Sequence, residues 1–225
     1  MKVTTDACLF GAWAGEVIRN EKIKIKNCLD AGTGTGLLAL MYAQKNGLTE
    51  IDAIEIDKDA AEQAIENIQA SVFKNRISVM NADAKEFLFK KKYDLIISNP
   101  PFYENELKGD NSKKNMAHHN EGLLLDDLLT VIKNNLADNG VFFLLLPYKR
   151  NEEIKNLFAE NNLEIQKLVL VRQSVNHSYF RIMLMGIIKA GEHKETEFDE
   201  LSIWNDKQEY TTAFTNLLKD YYLNL

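Results

Sequence analysis

The sequence predicts an α/β protein built on a largely parallel sheet, and three observations carry that reading. Apolar runs of strand length alternate with helical stretches along most of the chain. A glycine-rich turn, Asp30-Ala31-Gly32-Thr33-Gly34-Thr35-Gly36, joins the first apolar run to a helical one. No internal repeat, low-complexity tract or Pro/Gly linker interrupts the alternation, so residues 1–225 are expected to form a single domain.

The first strand is expected over Asn27 to Asp30, with the helical stretch Leu37 to Ala43 after the glycine turn. A second strand runs from Glu50 to Asp57. The helix Lys58 to Ser71 follows, with Ala61, Ala64, Ile65 and Ile68 at helical spacing. The strand Ile77 to Met80 leads into Asn81-Ala82-Asp83-Ala84, and the strand Tyr93 to Ser98 delivers Asn99. Leu123 to Leu136 reads as a helix with Asp138-Asn139-Gly140 as its stop. Val141 to Leu146 is a continuous apolar run, hence a buried strand. A helix over Asn151 to Asn161 precedes two β-like segments, Ile165 to Val171 and Tyr179 to Ile188, joined in a hairpin-like way. Tyr210 to Tyr222 places Phe214, Leu217, Leu218 and Tyr221 on one face of a final helix.

Glycine lets backbone approach a ligand closely, because no Cβ intervenes. Here an acidic residue, Asp30, stands before the first glycine. It would repel a pyrophosphate and accept a ligand with a cationic amino-acid end. Glu55 ends the second strand, 23 positions after Gly32, about the spacing at which an acid reaches a ribose diol in such folds. Asp83, after the third strand, is placed to accept from an adenine amino group, with the Ala84 N–H available to a ring nitrogen. Singly, each acid reads equally well as a helix cap or a solvated strand end, and Asp57 is the better candidate for that plain role. Together, at the carboxyl ends of adjacent strands, they point to a nucleoside-type cofactor.

Asn99-Pro100-Pro101-Phe102-Tyr103 ends the fourth strand. Two prolines cannot continue a central strand, and they leave the chain stiff and extended. That corner can aim the Asn99 amide, the Pro100 carbonyl and the Phe102 ring at one point, a set that suits a flat base with an exocyclic amine. By itself such a corner is as readily a strand end with a turn.

These motifs resemble those of the class I S-adenosylmethionine-dependent methyltransferases. Asp30, Gly32, Gly34 and Gly36 look like their first motif. Glu55 looks like the ribose-binding acid, Asp83-Ala84 like the adenine-binding pair, and Asn99-Pro100-Pro101-Phe102 like the amino-methylating motif. Met1-Lys2-Val3-Thr4-Thr5-Asp6 with Leu9-Phe10-Gly11-Ala12-Trp13 is similar to the bacterial tRNA1(Val) (adenine-37-N6)-methyltransferases, and so are Asn99 to Tyr103 and the ending Tyr210-Thr211-Thr212-Ala213-Phe214-Thr215 with Lys219-Asp220-Tyr221-Tyr222. The resemblance implies a Rossmann-like, seven-stranded, mostly parallel sheet with helices on both faces and the last strand antiparallel. It also implies S-adenosyl-L-methionine as cofactor, Thr5 and Asp6 at the cofactor's amino-acid end, and methylation of adenine N6 in tRNA. Asn99 Oδ1 and the Pro100 carbonyl would each take one N6 hydrogen while Phe102 stacks on the base. No metal is required.

Composition bounds these readings. A net charge of −6 weighs against a general nucleic-acid binder and leaves room for a local basic face. Lys108, Lys113, Lys114, His118 and His119, with Arg172, His177 and Arg181, are candidates for a phosphate-binding rim. No apolar run reaches the ~20 residues a membrane span needs. Cys8 and Cys28 lack metal-ligand spacing, Cys28 reads as core, and a reduced cytoplasmic protein is the simplest expectation. The oligomeric state stays open, with a monomer allowed. Two competitors remain: methylation of another amine or amide (DNA adenine, a ribosomal guanine amino group, a protein glutamine), and a nucleoside-binding module without catalysis.

Overall fold

The computed structural model describes residues 3–101, 123–191 and 195–224. The chain opens on a helix, α1 (Thr5–Asn20), then β1 (Asn27–Ala31), α2 (Leu37–Lys45), β2 (Glu50–Glu55), α3 (Lys58–Gln69), β3 (Ile77–Asn81) and β4 (Tyr93–Ser98). After residue 122 come α4 (Leu125–Asn135), β5 (Leu136–Pro147), a 3-10 turn (Tyr148–Arg150), α5 (Asn151–Glu160), β6 (Leu163–Ser174), β7 (Tyr179–Ile188), β8 (Glu197–Trp204) and α6 (Thr212–Leu218).

The strands form one sheet in the order β3-β2-β1-β4-β5-β7-β6-β8. Only β7 runs against its neighbours, β5 and β6. The α/β class, the parallel majority and the antiparallel late strand follow the sequence reading. The sheet has eight strands rather than seven, because β8 adds to β6 in parallel. Its first four residues, Glu197 to Glu200, are exposed, and only Leu201 and Ile203 turn inward. An apolar alternation that short gives little signal, while the acids on this outer edge discourage further strands from pairing there.

Alternate strand residues face opposite layers. Cys28, Ile97, Phe143 and Met183 meet α1, α2 and α6 through Phe10, Trp13, Met41, Tyr42 and Phe214. Leu29, Ile96, Phe142, Leu144 and Leu184 meet α4 and α5 through Leu128, Ile132, Ile154 and Phe158. Cys28 is fully buried, and burial pushes its thiol well above the ordinary range, so it behaves as core. Sequence reasoning assigned no helix before the first strand, so α1 is an addition. Every residue of this helix from Ala7 to Gly15 is buried, so no polar face marks its period there.

Other differences are local. Asp138-Asn139-Gly140, expected as the stop of the helix before it, follows the end of α4 at Asn135 and is itself in a strand. It lies within β5, which starts at Leu136 opposite Tyr93, with a register shift before Leu95. Residues 175–178 make the tight turn between β6 and β7, as the hairpin reading expects. Asp57 caps α3, its Oδ1 accepting from the Ala60 N–H at 2.8 Å.

Candidate active site

The carboxyl ends of β1, β2, β3 and β4 lie side by side, and the residues just past them form the candidate site. After β1 the chain turns through Gly32, Gly34 and Gly36 at φ +72°, +57° and +86°, left-handed values that side chains disfavour. A Cβ on Gly32 would meet nothing within 4 Å, so the turn opens on free space. From below, the Ile54 carbonyl accepts from the Gly32 and Thr33 N–H groups at 2.9 and 3.0 Å.

Asp30 is wholly buried under this turn. Its Oδ2 accepts from the Thr33 hydroxyl at 2.6 Å and from the Ala39 N–H at 3.1 Å. The second bond caps the first turn of α2, whose N-cap, Gly36, has no side chain to do so. Asp30 Oδ1 has no hydrogen-bond partner among the described residues. Burial pushes its carboxyl up from the ordinary 3.8 to about 7, against the pull of the Thr33 and Ala39 bonds and with a further push from Glu55.

Glu55 is nearly buried and grips the same turn. Its Oε2 accepts from the Gly34 N–H at 2.8 Å and its Oε1 from the Asp57 N–H at 3.0 Å. A carboxylate offers about four lone-pair sites, so capacity remains for a diol. The Glu55 carbonyl accepts from the Ala82 N–H at 3.0 Å, which brings Asp83 alongside. Asp83 Oδ1 accepts from the Lys85 N–H at 2.9 Å, and Ala84 is buried. The plain capping role is therefore real for Asp30, Asp83 closes a local turn instead, and the unpartnered oxygen of Asp30 is what capping leaves unexplained.

The proline corner is pinned to the glycine turn by a residue that sequence reasoning missed. Ser98, fully buried, donates its hydroxyl to the Ala31 carbonyl at 2.6 Å. Ile97 pairs with Asp30 across β4 and β1, so Asn99, two residues on, comes level with Gly32. Asn99 is half-buried, Pro100 buried and Pro101 exposed. Phe102 lies outside the described residues, as do Tyr103, Lys108, Lys113, Lys114, His118 and His119.

Thr5 and Asp6 open α1. Gly11 of this helix packs on Leu38 and Met41 near the start of α2, while Arg19 and Lys45, near the ends of the two helices, line one groove. The helices thus run in the same direction, and the start of α1 rises beside the glycine turn. Asp6 Oδ2 accepts from Arg181 Nε at 2.8 Å. Arg172 donates to Ser202 Oγ at 2.7 Å and lies 3.8 Å from Glu200. Both arginines considered for an RNA rim are therefore paired with acids within the chain. His177 is exposed in the β6–β7 turn, its Nδ1 2.6 Å from Ser174 Oγ.

Comparison with known proteins decides the family. Residues 16–153 match the methyltransferase small domain family. A relative from Dyadobacter fermentans, named tRNA1(Val) (adenine(37)-N6)-methyltransferase, is 37% identical over 99% of this chain and 91% of its own. The chain belongs to the tRNA1(Val) (adenine(37)-N6)-methyltransferase family. Solved structures agree at the level of fold. A predicted O-methyltransferase from Agrobacterium tumefaciens superposes with a TM-score of 0.72 at 16% identity, covering 95% of each chain. An S-adenosylmethionine-dependent methyltransferase from Clostridium acetobutylicum gives 0.58 at 13% identity, covering 81% of this chain and 92% of its own. Among the described residues no helix is long and apolar enough to cross a membrane, and no three His, Cys, Asp or Glu side chains gather to hold a metal ion.

Proposed function

We propose that this chain, acting as one domain, transfers a methyl group from S-adenosyl-L-methionine to the N6 amine of an adenine in tRNA. Adenine 37 of a valine tRNA, the site in the relatives' name, is the first candidate. The observation that carries the reading is the adjacency of two features. A glycine turn opens on free space above a buried, half-partnered Asp30, and a proline corner is tied to that turn through Ser98 and Ala31.

The cofactor fits the residues present. Asp30 Oδ1 supplies negative charge toward a cationic amino-acid end, Glu55 takes the ribose hydroxyls, and Asp83 with the Ala84 N–H takes the adenine. Thr5 and Asp6 border the amino-acid end. When bound, S-adenosylmethionine supplies an electrophilic methyl carbon.

The remaining work belongs to the corner. Adenine N6 is a poor nucleophile because its lone pair is delocalised into the ring. Asn99 Oδ1 and the Pro100 carbonyl each accept one N6 hydrogen, which holds the nitrogen toward tetrahedral geometry and aims its lone pair. Pro101 stiffens the corner, and Phe102, assigned on the motif alone, stacks on the base, a contact worth ~1–3 kcal/mol. A loop adenine must turn out into the site to reach it. Orientation of this kind supplies ~7–11 kcal/mol of a barrier. The alkylated N6 is acidic enough to lose its extra proton to water, so the corner needs no strong base.

The test is incubation with methyl-labelled S-adenosylmethionine and, separately, unmodified tRNA, plasmid DNA and a protein extract. Label is expected in tRNA. Label confined to DNA or protein would move the chain to one of the competing substrates, and cofactor binding without transfer to any of them would make it a binding module.

A further inference from the structure

The pair between Asp6 and Arg181 joins two elements far apart in sequence at the level of the proline corner. Ser98 of β4 pairs with Leu144 of β5. Three residues further along β5, Pro147 pairs with Arg181 of β7. Arg181 therefore stands level with Pro101 and two strands over, at ~4.8 Å per strand. It is held on its own strand, with its guanidinium over the Phe180 ring at 5.3 Å and an Nη1–H donated to the Phe180 carbonyl at 3.3 Å.

From there it reaches α1. Arg181 Nε donates to Asp6 Oδ2 at 2.8 Å, with the side chains only 25% and 15% exposed. Asp6 Oδ1 accepts from the Ala7 N–H at 3.1 Å. Both oxygens of Asp6 are thus engaged inside the chain. The helix start has no side-chain cap from Thr4. Tyr222 lies close enough to Thr5 and Cys8 at the helix start to interact with both.

We propose that Arg181 is a positioning residue for methyl transfer: by gripping Asp6 it fixes the first turn of α1, and Thr5 with it, against the amino-acid end of the cofactor crevice. Asp6 then acts through Arg181 and not as a free charge toward the cofactor, and Arg181 leaves the set of residues facing RNA. The proposal rests on the functional reading above. A half-buried charge pair held by a planar guanidinium keeps its geometry better than an exposed one.

The experiment is isothermal titration of S-adenosylmethionine into the full chain, for wild type, Arg181→Met, Arg181→Lys, Asp6→Asn and the Asp6→Asn/Arg181→Met double variant. Arg181→Met and Asp6→Asn should each weaken cofactor binding about tenfold, with the double variant no worse than either single, since contacting partners are not additive. Arg181→Lys should recover to within ~threefold of wild type, because the ammonium restores the charge without the fork. The Michaelis constant for tRNA should stay unchanged. Unchanged cofactor affinity in Arg181→Met would overturn the proposal. So would multiplying effects in the double variant, or weaker tRNA binding with a shallower salt dependence. If Arg181→Met does not fold, Asp6→Asn and Arg181→Lys decide by the same criteria. A wild-type chain that binds no S-adenosylmethionine sinks the functional reading instead, and the grip is then judged by amide exchange at Ala7 and Cys8. Exchange there should quicken about tenfold in Asp6→Asn, and an unchanged rate would overturn it.

Discussion

Replacing Asp30 by asparagine should make the protein more stable and a worse binder, in a way that depends on pH. The Asp30 carboxyl titrates at about 7 in the folded chain against an ordinary 3.8. A carboxyl raised on folding holds its proton in the native state while the unfolded chain has lost it. Between those two values the native state binds more protons, so stability falls as pH rises. At ~1.36 kcal/mol per unit, the penalty is roughly 2 kcal/mol near pH 5 and about 4 kcal/mol at pH 8. The Asp30→Asn variant carries no such penalty. Its amide oxygen can keep the Thr33 and Ala39 bonds, but its amide donors fall where Asp30 Oδ1 has no partner, which costs ~1–3 kcal/mol at any pH. The variant should therefore match wild type near pH 5 and exceed it by ~1–3 kcal/mol at pH 8, a few degrees in melting temperature for a chain of this size. Calorimetric melting at both pH values reads this directly. S-adenosylmethionine binding should weaken more than tenfold at pH 8, because the charge facing its cationic end is gone, and by much less at pH 5, where the wild-type carboxyl is itself protonated. A gap in melting temperature that stays constant between pH 5 and pH 8 would refute the reasoning.

Two other substitutions probe the frame that holds the site. Ser98→Ala strands the buried Ala31 carbonyl; it should cost ~1–3 kcal/mol in chemical denaturation and lower turnover more than cofactor affinity, since it loosens the corner and not the cradle. Gly186→Ala would place a Cβ 2.3 Å from the Phe142 ring and 2.9 Å from the Glu164 carbonyl; overpacking of ~1–3 kcal/mol should appear as a lower melting temperature with the cofactor constant unchanged.

Most of the sheet was legible because buried parallel strands are continuous apolar runs, and the glycine turn and proline corner punctuate them. The side-by-side placement of Asp30, Glu55 and Asp83 was legible because strand ends fix their order. The misses have physical causes. Helix α1 is buried nearly all round and shows no period, and β8 is an edge strand with an acidic outer half. Ser98 is a small hydroxyl whose partner is a backbone carbonyl, a contact no side-chain pattern announces. The union of Asp6 with Arg181 spans 175 positions and depends on the antiparallel placement of β7, so sequence reasoning set the two apart, one with the cofactor and one with RNA.

The central claim is that the corner at Asn99 presents an adenine amine to a methyl group. The most direct measurement is nucleoside mass spectrometry of tRNA after incubation with labelled S-adenosylmethionine, for wild type and for Asn99→Ala. The account predicts labelled N6-methyladenosine from wild type and none from Asn99→Ala, while Asn99→Ala still binds the cofactor with wild-type affinity. Labelled guanosine, or N6-methyladenosine formed at an undiminished rate by Asn99→Ala, would contradict it.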